Sequence, residues 1–198
     1  MSTSPDPSRR SQSSRRAILG AALDLVTEVG YTKVSIERIA ATAGVGKQTI
    51  YRWWPSKGSL LFDAFLTLTQ TADGSLAGLP DTGDLATDLK HVLRATVEEL
   101  NDPRYDETMR ALHTEVVHDA ALAAEYATRL DHPMRELKKD RLRAAQRAGQ
   151  LAEDLDLDVA VEVIFGPVLN RWLQRTGPLD TEYVDNLVDT ALNGLRPR

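Results

Sequence analysis

The chain has 198 residues, of which 42% are hydrophobic, so it is long enough to bury a substantial core in one or two domains. It contains no cysteine, which excludes disulfides, zinc–thiolate sites and thiol catalysis and is typical of a reducing compartment. Its net charge is −5, but residues 1–60 carry nine Lys/Arg and only four Asp/Glu. This asymmetry predicts that only the basic first part of the chain meets a polyanion. No apolar run approaches the roughly 20 residues that span a bilayer. Arg15 and Arg16 precede an apolar stretch, as in a twin-arginine export signal, but Asp24 breaks that stretch and no small-residue cleavage site follows, so we expect a cytoplasmic protein.

The first helix is predicted to follow a short N-terminal tail. Residues 1–12 have no apolar residue after Met1, and we expect them to be disordered because they cannot bury enough apolar surface. From about residue 13 to residue 29, apolar residues recur at helical spacing. Gly30 is expected to end this first helix.

Capping residues mark the next three helices. Ser35 is predicted to cap the second helix, because its hydroxyl can accept a hydrogen bond from a free backbone N–H. Gly44 is expected to end that helix, since glycine adopts a positive φ at little cost. The third helix begins near Gly46 or Lys47, reaches Trp54 and is stopped by Pro55, and Ser56 caps the fourth.

The remaining two thirds of the chain also reads as helix, without the alternation that is typical of β-strands. A segment rich in Gly, Asp and Thr, residues 71–84, is the best candidate for a long loop or a domain boundary. The fold predicted for the whole chain is all-α, with about nine helices. The helices predicted after the loop cover approximately residues 84–100, 105–118, 120–130, 133–149, 156–175 and 180–195.

The second and third helices, joined by a glycine turn, form a predicted helix-turn-helix, whose second helix can enter the major groove of DNA. Glutamine can bind adenine through two hydrogen bonds, threonine can contact a thymine methyl group, and arginine or lysine can bind guanine or phosphate. The same pattern is also compatible with a helical hairpin that presents a solvated polar face, as in an adaptor that binds protein. The side chains left on or near the outside of the third helix are Lys47, Gln48, Thr49, Tyr51 and Arg52.

A phosphate-binding loop is excluded by the spacing of the glycines around residues 44–49. Ala41 stands where such a loop needs its first glycine, and Gln48 stands where it needs a hydroxyl for magnesium. The residues that lead into the segment are predicted to be helix rather than strand. We therefore do not expect an NTPase. No nucleophile–base pair elsewhere suggests an enzyme, and we predict no metal site and no cofactor.

The segment VSIERIAATAGVGKQTIYRWWPSKGSLL, residues 34–61, resembles the N-terminal domain of the TetR family of bacterial transcriptional repressors. The resemblance covers about residues 15–65, roughly a quarter of the chain. It implies that Ser35 caps the second helix and touches a DNA phosphate, and that the third helix is the recognition helix. The full set of predicted DNA-binding residues is Ser35, Lys47, Gln48, Thr49, Tyr51, Arg52, Trp53 and Lys57.

The resemblance assigns a role to two residues in and after the third helix, and the sequence differs from the family pattern at three positions. By resemblance, Tyr51 and Lys57 are phosphate-contacting residues. Gly46 stands where serine is common in the family, so the third helix is expected to lack a side-chain cap. Gly58 stands where glutamate is common, which is expected to weaken the first turn of the fourth helix. Trp53 replaces a histidine or tyrosine.

The resemblance implies that the later helices form a ligand-binding and dimerising body. The helix predicted over residues 156–175 is apolar on two sides, and such a helix is buried on both. One side would meet the body and the other a partner chain, so that this helix and the last one form a four-helix bundle between two subunits. A core helix of a larger monomer is the alternative. The predicted interface residues are Phe165, Leu169, Leu173, Val184, Leu187, Val188, Ala191 and Leu192.

An effector pocket is predicted in the body, where apolar residues are interleaved with a few groups able to orient a ligand. The absence of a basic cluster there, together with the acidic body, favours a neutral or cationic compound. The predicted pocket residues are Met109, His113, Tyr126 and Val168.

The sequence therefore predicts a homodimeric, ligand-responsive transcriptional repressor. Its expected partners are an inverted-repeat operator in double-stranded DNA and an unknown small-molecule effector, with no membrane partner. The predicted organisation is a disordered tail over residues 1–12, a helix-turn-helix domain over residues 13–55 and a ligand-binding and dimerisation domain over residues 56–198, which the fourth helix connects to the rest. The alternatives are a protein-binding adaptor and a regulator that senses no small molecule.

Overall fold

The computed structural model describes residues 7–71 and 73–195, and this part of the chain is all-α, as predicted. A 3-10 turn (Tyr31–Lys33) follows the first helix, and a π-helical segment (Ala127–Asp131) joins the seventh to the eighth without a break. If the joined helices are counted as one, the described residues contain nine helices. The α-helices are α1 (Pro7–Val29), α2 (Ile36–Thr42), α3 (Lys47–Trp53), α4 (Lys57–Thr69), α5 (Leu85–Asn101), α6 (Pro103–His118), α7 (Ala120–Tyr126), α8 (His132–Arg147), α9 (Leu157–Gln174) and α10 (Thr181–Leu195).

The predicted helix ends around α2 and α4 are confirmed by their hydrogen bonds and backbone angles. The Ser35 hydroxyl accepts a hydrogen bond from the backbone N–H of Arg38 at 3.2 Å. Ser56 caps α4, and its hydroxyl and that of Ser59 satisfy each other's backbone N–H groups in a capping box. Gly30 and Gly44 have φ values of 78° and 66°, in the region that favours glycine.

Two predicted boundaries differ from the structure. Helix α1 begins at Pro7, so residues 7–12 of the predicted tail are helical, while residues 1–6 lie outside the described residues. The break expected before Pro133 is absent, because the π-helical segment Ala127–Asp131 continues the helical path. Its wider turn accommodates a proline whose missing N–H would interrupt an ordinary α-helical pattern.

The chain divides into two compact units. The first consists of Met1–Gly74 and Pro103–Tyr126, and the second of Ser75–Asp102 and Ala127–Arg198. This division differs from the predicted boundary at residue 55, because α4 packs against α1, and α6 packs against both of them. None of the helices in the described part of the chain combines the length and the hydropathy that a membrane crossing requires.

In the first unit, α4 passes so close to α6 and α7 that a side chain on its second residue would displace side chains of those helices. A Cβ atom on Gly58 would lie 2.9 Å from a carboxylate oxygen of Glu115 and 3.0 Å from a methyl carbon of Leu122. The glycine therefore allows the close approach of these helices. The approach explains the departure from the glutamate that is common at this position in the family.

In the second unit, a buried ion pair joins α5 to α8. The guanidinium of Arg141 donates to Asp88 at 2.7 Å, and both side chains are almost completely buried. The hydroxyl of Thr82 also donates to the Asp88 carboxylate, at 2.7 Å. Burial alone would raise the pKa of Asp88, but these hydrogen bonds outweigh it and hold that pKa below its usual value. The pair fixes the segment before α5 to the core of this unit.

Candidate nucleic-acid interface

Helix α3 is held in place by two buried apolar side chains. It has only seven residues, and a helix this short gains little stability from its own hydrogen bonds. Ile50 is fully buried on its inner side, and Trp54, which caps its C-terminal end, is 3% exposed. No side chain caps its N-terminal end at Gly46, as predicted. Packing against the rest of the first unit therefore determines where α3 points.

The outward side of α3 carries the polar and basic side chains that the sequence singled out. Lys47, Gln48, Tyr51 and Arg52 are exposed, whereas Thr49 and Trp53 are half-buried. The structure thus brings these six predicted DNA-binding residues together along two helical turns. Their hydrogen-bonding groups match those that read base edges and phosphates in a major groove.

Four of the basic and aromatic side chains on α3 interact within the chain. Lys47 forms an ion pair with Glu37 of α2, and its Nζ lies 5.5 Å from the centre of the Tyr51 ring. The hydrogen bond to Glu37, followed by its negative charge, raises the pKa of Lys47. Arg52 stacks over the Trp53 ring at 5.4 Å. Exposed pairs of this kind are weak, so both cations remain available to a polyanion.

Lys57 is more strongly engaged than the resemblance implies. Its Nζ donates to the carbonyl oxygens of Tyr31 at 3.2 Å and Val34 at 3.1 Å, and it lies 3.8 Å from the centre of the Tyr31 ring. An ammonium group has three donors, so one remains for a phosphate. Ser35 likewise uses its oxygen as the α2 cap, and its side chain also hydrogen-bonds to the carboxylate of Glu37. Ser35 and Lys57 therefore have a structural role in addition to any contact with DNA.

A carboxylate that the sequence analysis missed joins the end of α3 to two other helices. The indole Nε1–H of Trp54 donates to Oδ2 of Asp63 on α4 at 2.8 Å. The guanidinium of Arg15 on α1 donates to the same oxygen at 2.6 Å. A buried indole N–H needs a hydrogen-bond acceptor, so Trp54 in the sequence indicates that an acceptor is present. That the acceptor is Asp63, 9 residues later on another helix, does not follow from the spacing of residues.

The predicted pocket residues are divided between the two units. Met109, His113 and Tyr126 belong to the first, where the rings of His113 and Tyr126 are 6.2 Å apart, while Val168 is buried in the second. Burial, and then the positive charge of Arg110, lower the pKa of His113, so this imidazole is neutral at neutral pH. A groove of about 300 Å³ in the first unit is lined by other residues. These are Arg16, Leu19, Gly20, Leu23, Thr67, Leu68 and Arg104.

The predicted interface residues on α9 and α10 differ in exposure. On α9, Leu169 and Leu173 are 40% and 45% exposed, and Phe165 is half-buried. On α10 only Leu187 of the predicted set is half-buried. The other predicted residues on α10 are buried within the single chain, because α10 packs against α5 and α9. These buried residues are Val184, Val188, Ala191 and Leu192.

Comparison with known proteins places both parts of the chain in one family. The profile described as "Bacterial regulatory proteins, tetR family" matches residues 18–64, and that described as "Tetracyclin repressor-like, C-terminal domain" matches residues 79–191. An HTH-type transcriptional regulator of Bacillus subtilis, YdeS, is 35% identical over 94% of this chain and 92% of its own length.

Two further relatives agree. The DNA-binding transcriptional repressor TetR of Mycobacteroides abscessus is 30% identical over 92% of this chain and 94% of its own length. The crystal structure of the TetR family transcription regulator SCO0332 matches with a TM-score of 0.70 and 34% identity, covering 93% of this chain and 99% of that one. The chain therefore belongs to the TetR family and is a DNA-binding transcriptional regulator rather than an enzyme.

Proposed function

We propose that the protein is a repressor that binds an inverted-repeat operator as a homodimer and is released from it by a small molecule. The observation that carries the proposal is the outward side of α3, where Lys47, Gln48, Tyr51 and Arg52 are exposed on a helix anchored from within. Two such helices related by a twofold axis would read two half-sites of opposite orientation.

The side chains of α3 divide into base readers and phosphate contacts. Gln48 is the proposed base reader, with Thr49 beside it, because an exposed amide can form two hydrogen bonds with adenine. Lys47 and Tyr51 are proposed to bind phosphates, and Arg52 either phosphate or guanine. Around them, Ser35, Trp53 and Lys57 would contact the DNA backbone.

The dimer is proposed to form through the exposed side of α9. Val159, Val163, Leu169 and Leu173 are all at least 40% exposed, although each is a large apolar residue. Val159 and Val163 lie one turn apart, as do Leu169 and Leu173, and the two pairs form an apolar stripe that is interrupted between them. Burying this stripe against its twofold copy removes it from water without requiring a different partner. Leu187 of α10 and Phe165 of α9 are half-buried residues proposed to extend the interface.

The effector is proposed to contact α6 and α7 in the first unit. Met109 and His113 lie one helical turn apart on α6, and the ring of Tyr126 lies 5.7 Å from that of Phe62 and 6.2 Å from that of His113. A neutral imidazole and a phenol can orient an uncharged ligand by hydrogen bonds. Differential binding to one of two conformations would then shift the population away from the operator-binding state.

Selection of bound sequences from random double-stranded DNA tests the DNA-binding part. We expect the wild-type protein to enrich an inverted repeat. The control variant Arg147→Ala, which removes a positive charge from the exposed surface of α8, should enrich the same repeat. Gln48→Ala should change the preference at one position in each half-site. Enrichment of a sequence without twofold symmetry would contradict the proposed dimeric mode.

A thermal-shift screen against neutral and cationic compounds tests the effector part. A compound that binds the folded state should raise the melting temperature and lower operator affinity. His113→Ala and Tyr126→Phe should reduce the thermal shift while the ligand-free protein keeps its operator affinity. Thermal shifts that are unchanged in both variants would place the ligand elsewhere, with the α1–α4 groove as the next candidate.

A further inference from the structure

We propose that Asp63 is a positioning residue that sets the angle of α3 and thereby determines how well the protein distinguishes its operator from other DNA. The inference rests on the proposed reading of DNA by α3. Asp63 lies on α4, and its side chain is only 13% exposed. It does not belong to the outward side of α3, so it acts through Trp54.

Trp54 is rigidly linked to α3. The backbone N–H of Trp54 bonds to the carbonyl of Ile50 at 2.9 Å, which makes the tryptophan a continuation of the last turn. Its ring is buried, and its indole N–H donates to Oδ2 of Asp63 at 2.8 Å. An apolar contact alone leaves a two-turn helix some freedom to rotate, whereas a hydrogen bond is directional.

Two donors converge on one oxygen of Asp63. Arg15 of α1 donates to the same Oδ2 at 2.6 Å, and its guanidinium carbon lies 5.7 Å from the centre of the Trp54 ring. Hydrogen bonds to an ionised carboxylate are shorter and stronger than neutral ones. The Asp63 carboxylate therefore ties the end of α3 to α1 and α4 at a single point.

Ring contacts lead from this anchor to the DNA-facing side. The Trp53 ring meets the Trp54 ring edge-on, with centres 5.4 Å apart and planes at 79°, and Arg52 stacks over Trp53. Recognition geometry has to be held to within roughly 0.5 Å to be productive. A small rotation of Trp54 would therefore be passed to the outward residues of the last turn. Phosphate contacts made by long cationic side chains tolerate such a rotation better than base contacts do.

The test compares binding to the selected operator with binding to a scrambled duplex of the same length and composition. Asp63→Ala removes the acceptor, Trp54→Phe removes the donor, and Asp63→Asn keeps one neutral acceptor oxygen. We expect Asp63→Ala and Trp54→Phe to lower the ratio of operator to scrambled affinity by about tenfold or more, as for loss of a hydrogen bond to a charged group. Affinity for scrambled DNA should change by less than about twofold, because non-specific binding rests on phosphate contacts.

Two comparisons separate positioning from mere stabilisation. The ratio of operator to scrambled affinity should be higher in Asp63→Asn than in Asp63→Ala. In the double variant Trp54→Phe/Asp63→Ala this ratio should fall no further than in the more severe single variant. Asp24→Asn is the matched control, since Asp24 also pairs with an arginine in this unit, Arg104 at 2.9 Å, without touching α3. Its ratio should equal that of the wild-type protein.

The state of the hydrogen bond is measured independently by NMR exchange of the indole N–H groups, of which the chain has three. The Trp54 signal, identified by its absence in Trp54→Phe, should exchange slowly in the wild type and in Asp24→Asn, and quickly in Asp63→Ala. All affinities are measured at a temperature where circular dichroism shows each variant folded. If Asp63→Ala does not fold, Asp63→Asn and Trp54→Phe carry the same test.

Equal losses on operator and scrambled DNA would overturn the inference and reduce Asp63 to a structural residue. An unchanged operator affinity in Trp54→Phe together with fast indole exchange in the Asp63 variants would overturn it as well. These outcomes leave the proposed function intact, because the wild-type protein still selects an operator. If the wild-type protein selects no sequence, the proposed function itself is wrong, and the inference is wrong with it.

Discussion

Helices α3 and α9 both bury one side in the chain's own core, but their outward sides have opposite chemistry. That of α3 is polar and basic, with Tyr51 as its one large exposed ring, whereas that of α9 carries four exposed aliphatic residues between Val159 and Leu173. A polar, cationic surface is matched by phosphates and base edges, and an aliphatic stripe by another apolar protein surface. The outward residues, and not the helical fold, therefore specify which partner each helix receives.

The largest effect is expected when the outward side of α9 is made charged. Leu169→Glu combined with Leu173→Glu should produce a monomer and lower operator affinity by about a hundredfold or more, because two linked half-site contacts act at a high effective concentration. Sedimentation at micromolar concentration and operator titration measure the two effects. Val117→Glu is the control, since Val117 on α6 is 78% exposed yet outside the stripe. A double variant that remains dimeric would place the interface elsewhere.

The next largest effect should come from the base reader on α3. Gln48→Ala should cost about 1–3 kcal/mol at a single operator position if the contact with adenine is bidentate, and nothing at the others. A panel of single-base operator variants measures this pattern. Asn193→Ala, which removes an exposed amide from α10, should leave every member of the panel unchanged. A uniform loss across the panel would show that Gln48 contacts the DNA backbone instead.

A smaller and sequence-independent effect is expected at Lys47. Lys47→Ala should weaken binding to all duplexes by a similar factor and reduce the slope of log affinity against log salt by about 1. Titrations at several salt concentrations measure the slope. Arg147→Ala serves as the control for loss of one positive charge. A slope that is unchanged in Lys47→Ala would mean that Glu37 holds this lysine away from the phosphates.

The smallest effect should be a gain. Glu37→Gln removes the carboxylate that pairs with Lys47 and should raise affinity for all duplexes, by less than about fivefold, since exposed ion pairs are weak. The gain should shrink as salt is added. In Glu37→Gln/Lys47→Ala the gain should disappear. A gain that survives in the double variant would have to come from the general loss of negative charge near the DNA.

The sequence predicts local features of this molecule better than long-range ones. The caps at Ser35 and Gly44 were predictable because a cap depends on residues within one turn of it. The side of α10 that faces the core was not predictable from the sequence. Val184 and Val188 lie on an apolar face that could equally have packed against a second chain. Which face of α10 stays exposed depends on how the helix packs against α5, and the spacing of residues in the sequence does not predict where α5 lies.

In the candidate DNA-binding site, too, local features could be predicted from the sequence and contacts between helices could not. The exposed residues of α3 follow from the spacing of Ile50 and Trp54, which face inwards. The acceptor for Trp54 does not, because it belongs to another helix. Lys57 was predicted for its charge, yet its bonds to two carbonyl oxygens depend on how the 3-10 turn folds back towards α4.

The close approach at Gly58 has a consequence for how relatives of this protein can vary. Alanine at position 58 would displace the ends of the Glu115 and Leu122 side chains, and glutamate, which is common there in the family, would also bring a second negative charge towards Glu115. Positions 58 and 115 should therefore covary across related sequences. Where a side chain occupies the first, a short or uncharged residue is expected at the second. A substitution at position 58 is therefore expected to be tolerated best when the residue at position 115 changes with it.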